Sequence, residues 1–182
     1  EIKWTKKRKS IHIKEFLKEK EDAKSELKDL TDKTKDYETL KTNYDALNSK
    51  YENLVKLYAN DCQIESFKNC QSRKIELLYI GGDNLTDVDV SGFPNLLNLS
   101  VRDNKLTKID VSNNIKLEAI YIYGNSIENL DISQNKALIK LSANDNNISQ
   151  LDITNNKYLK HLFVDNNKLE KIDLSNNTKL ET

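Results

Sequence analysis

The stretch LLNLSVRDNKLTKIDVSNNIK, residues 96–116, decides the fold, because the chain writes the same pattern again at once. Leu96, Leu99, Val101, Asn104, Leu106, Ile109, Asp110 and Ser112 recur as Leu117, Ile120, Ile122, Asn125, Ile127, Leu130, Asp131 and Ser133. They return as Leu138, Leu141, Ala143, Asn146, Ile148, Leu151, Asp152 and Thr154, then as Leu159, Leu162, Val164, Asn167, Leu169, Ile172, Asp173 and Ser175. The block before them keeps step with Ile75, Leu78, Ile80, Asp83, Leu85, Val88, Asp89 and Ser91. Five copies at a constant 21-residue period, with no insertion, mean a solenoid in which each copy is one coil.

Elementary geometry says what one coil does. The alternation Leu99-Ser100-Val101 predicts a short strand with two apolar side chains inward and the residue between them outward. One strand per coil, always in the same direction, builds a parallel sheet, and a spacing of ~4.8 Å makes five or six coils a stack of roughly 25–30 Å. Asn104, Asn125, Asn146 and Asn167 follow the strand where the chain turns inward. Their amides can bond backbone groups the turn leaves unpaired, so they are expected to form an internal ladder worth about 1–3 kcal/mol per rung. Asp89, Asp110, Asp131, Asp152 and Asp173 make a second column. Calcium-binding repeats use such carboxylates, but with another period and a Gly-rich run that is missing here. The expected role is instead closure of a local turn onto the Ser or Thr two residues on. The return segment is too short for a full helix, so a β-turn, polyproline or 3₁₀ return is expected.

The unit L-x-x-L-x-L-x-x-N-x-L-x-x-L-D-x-S-x-N-x-x resembles a leucine-rich repeat of the short 21-residue class, similar to units common in bacterial surface proteins. The resemblance covers about residues 75–182. It implies a solenoid with the sheet on its concave face, and short non-helical returns on its convex face. It also implies a protein-binding role, such as adhesion, but fold alone does not dictate function.

Moving the frame back one period exposes a degenerate copy, Leu54, Leu57, Ala59, Cys62, Ile64 and Phe67. Residues 59–74 are therefore expected to cap the stack, with Cys62 at the ladder position. At the other end Leu180 opens a sixth copy, and residue 1 is not Met; the sequence is expected to be a segment of a longer chain. Residues 1–58 have another character. Tyr37, Tyr44, Tyr51 and Tyr58 recur every seven residues, with Leu40, Leu47 and Leu54 midway, the spacing of a coiled-coil seam. A helical arm over residues 1–58 is expected to oligomerise the chain through Tyr37, Leu40, Tyr44, Leu47, Tyr51 and Leu54, or to fold back as a hairpin at residues 31–36. Leu54 and Leu57 are claimed by both the seam and the degenerate repeat. The whole chain is then α+β.

Net charge is zero, with 15 Lys/Arg against 12 acids in residues 1–58 and 14 against 17 in residues 59–182. That balance argues against a nucleic-acid partner. The run Lys6-Lys7-Arg8-Lys9 behind Trp4 reads as a solvated helix start, a localisation signal or a basic stretch beside an upstream membrane anchor. A cell-surface or secreted location is favoured slightly. Cys62 and Cys70 could form a disulfide in such a place, but the ladder register turns Cys62 inward and favours thiols. Asn84, Asn98, Asn147 and Asn176 open N-x-Ser/Thr sequons, as expected incidentally in so Asn-rich a chain.

No phosphate loop, dinucleotide fingerprint, nucleophile elbow or credible Cys/His/Asp arrangement is present, so no enzyme activity, cofactor or metal is expected. Binding surfaces remain. The outward strand positions carry Tyr79, Arg102, Tyr121, Tyr123, His161 and Phe163 on one side of the sheet, and aromatics and Arg are the types that anchor interfaces. The leading expectation is a non-catalytic protein-interaction module that binds through this face. The competing ones are an assembly protein whose arm does the binding, and the targeting region of a larger enzyme.

Overall fold

The computed structural model describes residues 54–68 and 70–182. Each repeat contributes one three-residue strand: β1 (Lys56–Tyr58), β2 (Leu77–Tyr79), β3 (Asn98–Ser100), β4 (Ala119–Tyr121), β5 (Lys140–Ser142) and β6 (His161–Phe163). The strands form a parallel sheet in sequence order. Every pairing is offset by one repeat, so that Leu78 lies beside Leu99, Leu99 beside Ile120 and Ile120 beside Leu141. A slip of one residue would turn this leucine column out to solvent, which is why the register is uniform.

The core is a set of columns running along the stack. Leu78, Leu99, Ile120 and Leu141 fill its strand side, with Ile80, Val101, Ile122 and Ala143 behind them, all fully buried. Leu85, Leu106, Ile127 and Ile148 line the turn that follows. Val90, Val111, Ile132 and Ile153 form one more buried column, from the position between Asp and Ser in the repeat. The sequence pattern leaves that position unassigned, because it stands directly between two polar residues.

The convex return consists of consecutive tight turns. In the third coil Asn114 N donates to Val111 O at 3.0 Å and Leu117 N to Asn114 O at 3.1 Å, and later coils repeat both bonds. Of the returns expected, the β-turn is the one adopted. The Asp column closes the start of each turn as expected: Asp110 Oδ1 accepts from Ser112 N, Asp131 Oδ1 from Ser133 N and Asp152 Oδ1 from Thr154 N, each at 2.9 Å.

Two asparagine ladders stitch the coils. In the expected one, Asn104 Oδ1 accepts from Asp83 N and Leu85 N, while its Nδ2 donates to Ile80 O and Val101 O. Asn125, Asn146 and Asn167 repeat both Nδ2 bonds one coil on each time, and their Oδ1 atoms accept from Leu106 N, Ile127 N and Ile148 N. The second ladder is Asn114, Asn135, Asn156 and Asn177 on the convex side, whose Nδ2 atoms each bridge two carbonyls of the preceding coil. Phe93 takes the place of this asparagine one coil earlier and stacks on Phe67, with centroids 5.8 Å apart.

The junction with the expected arm needs correction. Lys56–Tyr58 pairs with β2 in the common register, and Leu54 packs against the core. The repeat array therefore includes residues 54–58, which the seven-residue spacing had assigned to the helical arm; pairing with β2 outweighs a helical periodicity that ends there. Tyr58 is a strand residue rather than a seam residue. The first coil buries Cys62 at its ladder position, with Sγ donating to Asn60 O, and Cys70 Sγ donates to Lys68 O. The seam residues Tyr37, Leu40, Tyr44, Leu47 and Tyr51, and the basic run, lie outside the described residues.

Candidate protein-binding face

Residues flanking each inward leucine must point outward, so the concave face is made of the third, fifth and seventh positions of every repeat. Tyr79, Tyr121 and Phe163 end the alternate strands β2, β4 and β6 and share the fifth-position column. Ser100 and Ser142 stand between them at the ends of β3 and β5. His161 opens β6, and Arg102 and Tyr123 lie two residues beyond the ends of β3 and β4. All six residues expected at a binding face thus lie along one surface, each half-buried.

Two residues join them that sequence reasoning had not chosen. Tyr58 stacks on Tyr79 with centroids 5.0 Å apart and planes inclined by 10°, which extends the aromatic column by one strand. Its place in the degenerate copy was visible, but the heptad reading claimed it. Lys140 at the third position sets Nζ 5.3 Å from the Tyr121 ring centroid and 5.4 Å from that of Phe163. The signal for Lys140 was its column, one strand before His161.

The electrostatics of the face follow from these contacts. Burial first, then the neighbouring hydroxyls of Tyr121 and Tyr58, hold the Tyr79 phenol above its ordinary range. Arg102 donates to the Asp103 carboxylate, which strengthens its hold on its proton. The Arg102 stem also lies over Gly81, where a Cβ would come within 2.7 Å of its Cγ, so this glycine admits the close approach. His161 Nδ1 is 2.9 Å from Thr182 Oγ1, and Asn144 Nδ2 donates to Asp165 Oδ2 at 3.3 Å. Such a surface of rings, amides and fixed charges suits recognition of a macromolecule. Among the described residues no three His, Cys, Asp or Glu side chains are grouped to hold a metal ion.

The repeat, its parallel sheet and its asparagine ladder together define a leucine-rich repeat protein. Solved structures agree. The chain is similar to the functional domain of InlJ from Listeria monocytogenes, which includes a cysteine ladder: identity is 30% with a TM-score of 0.61, over 73% of this chain and 34% of that one. It therefore spans about a third of that structure. Internalin C2 from Listeria monocytogenes is 24% identical with a TM-score of 0.59, over 71% of this chain and 70% of that one. The leucine-rich repeat domain of APL1B is 21% identical with a TM-score of 0.58, over 69% of this chain and 41% of that one. At these identities the last two share the fold alone. No family model and no curated protein matches the sequence.

Proposed function

We propose that the chain is a non-catalytic protein-interaction module that recognises its partner through the concave face, and that residues 1–53 oligomerise or space the repeats. The leucine-rich repeat neighbours support an interaction module in general. The observation that carries the finer reading is the contrast between the two faces. Convex polar groups are spent on turns and ladders, whereas the concave face presents Tyr58, Tyr79, Tyr121, Tyr123 and Phe163 along one surface. Adhesion at a cell surface is the specific role this reading favours, in line with the resemblance of the repeat unit to those of bacterial surface proteins.

A photo-crosslinking residue placed at Tyr123 on the concave face, and another at exposed Ile115 on the convex return, tests it in the native environment. Partner adducts are expected from position 123 and not from 115. Adducts from 115 alone would overturn the face assignment. The heptad of tyrosines favours a second reading, in which the arm does the binding. Partners that no concave-face position cross-links, and that vanish when residues 1–53 are removed, would move the function there.

A further inference from the structure

From β2 onward the aromatic column has a double period. Tyr79-Ser100-Tyr121 is followed by Tyr121-Ser142-Phe163, so each serine lies between two rings carried two strand spacings, ~9.6 Å, apart. The two slots are filled differently. At the first the third-position neighbour is Asn98, and Ser100 is only 3% exposed. At the second Lys140 holds its ammonium between the rings of Tyr121 and Phe163, and Ser142 is half-exposed.

On the concave face Arg102 pairs with Asp103, whereas no carboxylate among the described residues pairs with Lys140. Ring faces attract a cation but leave its N–H donors without acceptors, and Lys140 has three of them. Held between two rings, the long side chain has less rotamer freedom to lose on binding. His161, its register partner on β6, lies beside it. Asp165, the acid two residues beyond Phe163, already accepts from Asn144.

We propose that Lys140, held by Tyr121 and Phe163, anchors a carboxylate from an acidic segment of the partner protein. An apolar side chain of that segment packs on Tyr79 and Tyr121, one slot along. Charge complementarity selects the occupant: the slot offers a positioned cation with open donors and a wall of rings. A basic segment would meet Lys140 as a like charge. The proposal rests on the reading of the concave face as the recognition surface.

The test uses the full chain and three probes: a labelled peptide of alternating glutamate and leucine, the same peptide with lysine for glutamate, and heparin. The glutamate peptide should bind. Lys140→Gln should weaken it by about tenfold or more, the loss of one charge-assisted hydrogen bond, and Lys140→Arg should largely restore it. Tyr121→Leu and Phe163→Leu should also weaken it, although neither changes charge. Melting temperatures close to that of the wild type should accompany these changes at half-buried positions. No glutamate-peptide binding, equal affinity for the lysine peptide, indifference to Lys140→Gln, or binding of heparin alone would each overturn the proposal. Partner adducts from position 123 that persist at full yield in Lys140→Gln would refute the carboxylate anchor and leave the recognition face standing. Absence of adducts from position 123 in the wild-type background would refute that face itself.

Discussion

Asp83 stands where asparagine fills the ladder in the four coils that follow. Its Oδ1 accepts from Ile64 N, but Oδ2 is buried without a partner. Burial outweighs the backbone donors and holds the carboxyl above its ordinary range. A folded-state value above the unfolded one means that the folded state binds the extra proton. Stability from this group is full below the unfolded value and falls as pH rises through the folded one. Asp83→Asn should therefore stabilise the fold at neutral pH by about 1–3 kcal/mol, because Nδ2 can donate to carbonyls as Asn104 does. Urea melts at acid and neutral pH check this; the gain should shrink on acidification. The Asp column runs the other way. Backbone and side-chain bonds from the Ser or Thr two residues on hold Asp110, Asp131, Asp152 and Asp173 below the usual carboxylate range. Their contribution is present above the unfolded value and lost as pH falls through the lowered one. Replacing all four with Asn should flatten the acid limb of the stability curve. The first ladder was legible because asparagine recurs just past a strand. The second was written as plainly, at Asn114, Asn135, Asn156 and Asn177, yet nothing in a sequence distinguishes a buried turn asparagine from an exposed one.

Single coils test the frame at the next scale. Leu99 and Leu141 are fully buried in a core one coil thick, and each touches the coils on both sides. Leu99→Ala or Leu141→Ala should cost about 2–5 kcal/mol through the cavity left behind. A chemical melt indifferent to both would contradict the assigned register. Strand, ladder and turn were all readable in the repeat, since one period supplies the same evidence five times. The first coil was harder. Its copy is degenerate, it lacks the Asp of the turn, and at Leu54 and Tyr58 a heptad overlaps the 21-residue frame. Two periodicities competed there, and only strand pairing with β2 decides between them. Lys140 was missed for a related reason: its significance comes from rings on the strands either side, a relation no single repeat displays.

Across the whole molecule the expected division is between an arm that associates and a face that recognises. Changing Tyr44 and Leu47 to Lys would bury charge in the proposed seam, and light scattering should then report a smaller particle, down to the monomer. A wild-type chain already monomeric at micromolar concentration would favour the hairpin. Recognition by the concave face is the central claim, and partner capture by the triple variant Tyr121→Ala, Tyr123→Ala, Phe163→Ala tests it most directly, with its melting temperature measured beside the wild type. All three rings project outward, so the fold should persist, while loss of even one anchor costs at least about 2 kcal/mol, or thirtyfold in dissociation constant. The account predicts that the partner is lost at a nearly unchanged melting temperature; capture at wild-type strength by the folded variant would contradict it.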